Sequence, residues 1–98
     1  MDPEAAQKET MTEREFTIPN TLGLHARPAA ILAQEAGKFK SSITILKDGL
    51  EVNGKSVMGL MLLAAECGSK LRIRADGPDE IPALEALRAL FDKKFGEQ

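Results

Sequence analysis

Apolar residues recur at every second position in "REFTIP", where Phe16 and Ile18 share one face before Pro19, the pattern of a short strand. The period then lengthens. From Ala26 to Lys38, Ala29, Leu32, Ala33 and Ala36 fall at helical spacing, and Gly37 marks the end. "SITILK" and "LEVN" flank Asp48-Gly49, a tight-turn dipeptide, and read as a hairpin. Asn53-Gly54 breaks the chain again before Ser56 opens a short apolar helix expected to end near Gly68. "KLRIRA" turns Leu71, Ile73 and Ala75 one way and Arg72 and Arg74 the other, a further strand, and Asp76-Gly77-Pro78 is a turn. The last helix is predicted over residues 79–94, with the stripe Ile81, Leu84, Leu87, Phe91 and Phe95, acids in its first turn and lysines in its last.

The order is β-α-β-β-α-β-α, without an internal repeat. It predicts an α+β domain in which three helices cover one face of a four-stranded sheet. Residues 1–12, "MDPEAAQKETMT", hold few large apolar side chains and no usable period. They are expected to form a disordered tail ahead of a domain over residues 13–98, with Met11 as an alternative start.

Composition narrows the function classes. A chain of 98 residues, 43% of them apolar and 29% charged, supports a single core without staples. A net charge of −2, with no basic run, argues against nucleic acid as the partner. Cys67 is alone, so no internal disulfide forms; it reads as a small buried hydrophobe and fits a reducing cytoplasm. The longest apolar run, "VMGLMLLAA", is about half the length needed to cross a bilayer, and the polar, acidic N-terminus does not read as a secretory signal. One histidine and one cysteine are a thin ligand set for a metal. The expectation is a cytoplasmic monomer with no metal, no cofactor and no membrane insertion.

That histidine lies in "NTLGLHARPAA", at the cap or first position of the first helix. By itself this is an ordinary place for a capping or surface residue. Pro28 is tolerated in the first turn because its missing N–H has no intrahelical acceptor there. The N–H groups of Ala26 and Arg27 are then free beside the imidazole, and a helix start of this kind favours an anion. Arg27 adds a guanidinium able to grip a phosphoryl group through two bonds. A neutral imidazole, with an ordinary pKa of about 6.5, is a competent nucleophile. One arrangement therefore serves both the acceptance and the holding of a phosphoryl group. A hydrolytic triad is disfavoured, since His25 would be the sole base in a very small domain.

"GLHARPAA" at a strand-to-helix junction, with "KSVMG" some thirty residues on, resembles the HPr family, the histidine-containing phosphocarriers of the bacterial phosphotransferase system. The resemblance runs from about Phe16 to Phe95. It implies an open-faced β-sandwich, a four-stranded antiparallel sheet covered on one face by three helices. It further implies a non-catalytic shuttle that takes a phosphoryl group from enzyme I on Nδ1 of His25 and passes it to EIIA-type proteins, with Arg27 stabilising it.

Ser56 is a favourable N-cap, worth about 1 kcal/mol, and a phosphoserine is also welcome at a helix start. The resemblance places it at the residue modified by an HPr kinase/phosphorylase. The segment from Val57 to Ala65 is apolar all round, so part of it must remain exposed, with Leu60 and Leu63 turned inward. Val57, Met58, Met61 and Leu62, with Ala30 on the first helix, match the family face that docks partners. Two alternatives stand beside sugar uptake: a nitrogen-type regulatory phosphorelay, and an HPr-like regulatory binding module without relay activity.

Overall fold

Residues 11–97 are described by the computed structural model of the chain. Four strands, β1 (Met11–Thr17), β2 (Ser42–Lys47), β3 (Leu50–Asn53) and β4 (Lys70–Asp76), form one sheet in the order β1-β4-β2-β3, with every pairing antiparallel. Three helices, α1 (Ala26–Ala36), α2 (Val57–Leu62) and α3 (Glu80–Asp92), lie between them in the chain, and a 3-10 turn (Lys94–Gly96) follows. The architecture is the α+β arrangement expected, with β-α-β-β-α-β-α order.

Register explains why one face is buried. Phe16 sits opposite Leu71, Ile45 opposite both Ile73 and Val52, and Ile43 opposite Ala75, and all of these are buried. A slip of one residue would turn the whole set to solvent. Against this face pack Leu32 and Ala36 of α1, Leu60 of α2, and Leu84, Leu87 and Phe91 of α3. The opposite face carries a charge ladder in which Glu13 meets Arg72 at 3.5 Å and Arg74 at 3.2 Å. Pairs of this kind on a solvent-facing sheet surface, here only partly exposed, add about 0.2–1 kcal/mol each, so burial rather than charge fixes the sheet. Asp48 and Gly49 both take positive φ, 50° and 82°, as the tight hairpin between β2 and β3 requires.

Several boundaries differ from the sequence reading. β1 starts at Met11, so Met11 and Thr12 belong to the sheet rather than to the predicted tail; residues 1–10 lie outside the described residues. Thr12 also donates from its hydroxyl to Glu80 at 2.7 Å. The helix expected to reach Gly68 ends at Leu62. Ala64 takes φ 50°, and the Ala65 carbonyl accepts a hydrogen bond from the Leu24 N–H at 2.8 Å, a tertiary bond that takes this carbonyl out of any helix. Cys67 consequently falls in an exposed turn, not in the core. Ile81 is also exposed, because the buried side of α3 runs through Glu80, Ala83, Leu84, Leu87 and Phe91. Phe95 is buried as expected but lies beyond α3, in the 3-10 turn, with its ring 4.9 Å from that of Phe91.

A polar clamp closes the sheet onto α3. The Asp79 carboxylate accepts from the Ser41 hydroxyl at 2.6 Å and from the N–H groups of Lys40 and Ser41, both at 2.9 Å. The Ser41 hydroxyl, then the Lys40 amide, outweigh partial desolvation and hold the Asp79 carboxyl down at about 2, against an ordinary 3.8. A carboxyl depressed in the folded state stabilises it above the unfolded pKa and loses that contribution as pH falls through the folded value. Asp79→Asn is therefore expected to lower the urea midpoint at neutral pH, and the gap from wild type is expected to narrow as pH falls from about 4 to about 2. A gap independent of pH in paired urea titrations would contradict the clamp.

Candidate phosphoryl-transfer site

The loop between β1 and α1 is fastened at both ends before it presents His25. Ile18 continues the pairing of β1 through its N–H to Ser69 and its carbonyl from Gly68, both at 2.9 Å. Asn20 is fully buried and donates from its amide to the Gly23 carbonyl at 2.7 Å. Gly23 has φ 73°, and a Cβ there would lie 2.5 Å from the Ala65 carbonyl oxygen. Glycine thus meets two demands at once, a left-handed backbone and a close approach to the chain leaving α2. Leu24 is buried and bonds Ala65.

His25 is the N-cap of α1, extended at φ −79° and ψ −171°, and its side chain makes no capping bond. Its carbonyl receives the first intrahelical bond, from Ala29 at 3.0 Å. The Ala26 and Arg27 N–H groups therefore precede the helical ladder, and Pro28 has none to offer. Both residues are exposed, so these donors and the helix dipole stand at the open end of α1, with the Arg27 side chain two residues on from His25 and open to solvent. An anion placed there meets preorganised donors.

The structure adds a partner that the sequence did not indicate. Glu97 places both carboxylate oxygens on Nε2 of His25, at 3.0 and 3.1 Å. The same carboxylate accepts from the buried Asn20 amide at 2.9 Å. Burial opposes its ionisation, but the hydrogen bonds from His25 and Asn20 and the charges of His25 and Arg27 outweigh it and hold the Glu97 carboxyl below its ordinary value. The positive φ angles of Lys94, Phe95 and Gly96 turn the chain back towards the site. Glu97 lies 72 residues from His25 in sequence and carries no local motif; only the turn anchored by buried Phe95 brings the two together.

Ser56 is the N-cap of α2 and accepts from the Gly59 N–H at 3.0 Å, so its capping role is real. Beyond it, Val57, Met58, Met61 and Leu62 are exposed, Met58 to 79% and Leu62 to 70%, while Leu60 and Leu63 point inward. Ala30 is exposed on α1. Leu22, which the sequence reading passed over, is 74% exposed and borders a hollow of about 270 Å³ shared with His25 and Met61. Apolar surface therefore runs from the β1–α1 loop onto α2 with His25 at its edge. A larger hollow of about 480 Å³, between β2 and β3, includes none of these residues. No group of His, Cys, Asp and Glu side chains that could hold a metal occurs among the described residues.

The chain matches the family model described as "PTS HPr component phosphorylation site" over residues 12–93. It is 52% identical to the phosphocarrier protein HPr of Xylella fastidiosa over 87 residues, covering 89% of this chain and 98% of the relative. Against HPr of Treponema pallidum it is 46% identical over 88 residues, covering 90% of this chain and all of the relative. The crystal structure of HPr-C-His from Thermoanaerobacter tengcongensis superposes with a TM-score of 0.85 at 46% identity, over 89% of this chain and 98% of that one. With the family model, the curated relatives and the solved structure all matching over most of the chain, the chain belongs to the HPr family, the phosphocarriers of the phosphotransferase system.

Proposed function

We propose that His25 is the phosphoryl acceptor, reacting through Nδ1 with a donor of the enzyme I class and passing the group to EIIA-type proteins in the cytoplasm. The observation that carries this reading is the occupancy of the ring: Nε2 is taken by Glu97, which leaves Nδ1 for the helix start. The Nδ1 lone pair forms the bond to phosphorus as the donor's bond to phosphorus breaks, and the departing electron pair stays with the donor. The phosphoryl oxygens face the Ala26 and Arg27 N–H groups and the Arg27 guanidinium, whose positive charge offsets the added dianion. Delivery reverses the step, and the protein itself is left unchanged.

Docking falls to the apolar surface of Leu22, Ala30, Val57, Met58, Met61 and Leu62. Methionines suit a surface that must fit a donor and a different acceptor in turn. Ser56 stands at its border, where a phosphate would add about −1.5 to −2 charge. That makes Ser56 a regulatory site for a kinase of the HPr kinase/phosphorylase class. A second reading, a regulatory binding module, is favoured by the 48% identity over 84 residues to the HPr-like protein Crh of Halalkalibacterium halodurans. His25, Arg27 and Glu97 together support the relay over it.

Incubation with enzyme I and phosphoenolpyruvate is expected to add one acid-labile phosphate to the wild-type protein and none to His25→Ala, whose circular dichroism spectrum stays that of wild type. A folded His25→Ala protein that still takes the label would refute the assignment. Ser56→Asp is expected to slow acceptance from enzyme I about ten-fold through charge at the docking surface. Unchanged kinetics in a stopped-flow or quench assay would reduce Ser56 to a cap.

A further inference from the structure

We propose that Glu97, fastened by Asn20, is a positioning residue that sets the tautomer of His25 and serves as counter-ion to its phosphorylated ring. The inference rests on the phosphocarrier reading above and concerns a residue beyond the family match, which ends at 93. An ionised carboxylate only accepts hydrogen bonds, and a neutral imidazole has a single N–H. With both Glu97 oxygens within 3.1 Å of Nε2, the proton belongs on Nε2 and the lone pair on Nδ1. This is the tautomer that the nucleophile needs.

The carboxylate is not a mobile surface group. Its side chain is 16% exposed, and Oε1 is held by an Asn20 amide that is itself fully buried and tied to Gly23. Reversing that amide would set its oxygen against both the Glu97 carboxylate and the Gly23 carbonyl, so the hydrogen-bond pattern allows one orientation. The backbone turn at Lys94, Phe95 and Gly96 and the buried Phe95 ring supply the other anchor.

The charge balance follows from one retained proton. When Nδ1 bonds phosphorus, the ring keeps its Nε2–H and acquires positive charge, which faces the Glu97 carboxylate while the phosphoryl dianion faces Arg27 and the helix start. When the phosphoryl group leaves, the N–P electron pair returns to Nδ1 and the ring departs as neutral imidazole. No proton is exchanged with solvent in either direction. The arrangement resembles the carboxylate that orients a catalytic imidazole in a hydrolase triad, but here the imidazole itself is the nucleophile.

Two measurements on the full chain test this. In ¹⁵N spectra at a pH where the ring is neutral, wild-type His25 is expected to carry its proton on Nε2 alone, whereas Glu97→Ala and Glu97→Gln show a mixture including the Nδ1–H form. With potassium phosphoramidate, a small donor that needs no docking, both variants are expected to accept phosphate about ten-fold more slowly. Glu97→Asp restores part of the rate, and the KM for enzyme I does not change. Mixed tautomers in the wild type, or wild-type rates in both variants, would overturn the proposal. Wild-type protein that is labelled by phosphoramidate but never by enzyme I would instead overturn the carrier reading and leave the role of Glu97 standing.

Discussion

The hydrogen bond from Leu24 to the Ala65 carbonyl, made possible by the bare Cα of Gly23, is the contact on which the site depends. It joins the loop after β1 to the chain leaving α2, through residues 41 positions apart in the sequence. By drawing that segment inward it terminates α2 after Leu62, exposes Cys67, and sets Met61 beside His25 and Leu22 around one hollow. A side chain at position 23 would collide with backbone rather than with a yielding side chain, so the loop has no inexpensive way to adapt.

Electrostatics then divides the imidazole into two edges. Nε2 faces a fixed anion, Glu97, while the ring stands at the positive end of α1 near Arg27. In the proposed role, a group that gains and loses a dianion within one cycle has donors in place in both states, so no reorganisation is required at the moment of transfer. The separation of roles also accounts for the economy of the site. In that proposed role a single histidine suffices, because its lone pair is the nucleophile, the helix start and the guanidinium meet the phosphoryl oxygens, the carboxylate holds the ring proton, and no second base is called for.

Much of this was legible in the residues, and the part that was not has a common cause. Strand alternation, the Asp48-Gly49 hairpin and the helical spacing of α1 are local patterns, and each corresponds to an observed element. The motifs that single out His25, Arg27 and Ser56 are likewise local, and the structure puts each of these residues at a helix start. The end of α2, the exposure of Cys67 and the arrival of Glu97 at His25 are all set by tertiary bonds or a terminal turn. Apolar periodicity through "VMGLMLLAAECG" carries no record of the Ala65 carbonyl being claimed by Leu24. The start of β1 at Met11 was missed for a related reason: Met11, Thr12 and Glu13 gain their strand character by pairing with Asp76, Ala75 and Arg74.

The central claim is that phosphate resides on Nδ1 of His25, the nitrogen left open by Glu97. It is tested most directly by phosphorylating uniformly ¹⁵N-labelled protein with enzyme I and phosphoenolpyruvate and recording the phosphorus–nitrogen coupling. The account predicts one phosphorus coupled through a single bond to Nδ1 of His25, with the ring proton retained on Nε2. Phosphorus coupled to Nε2, or attached to any other residue, would contradict it.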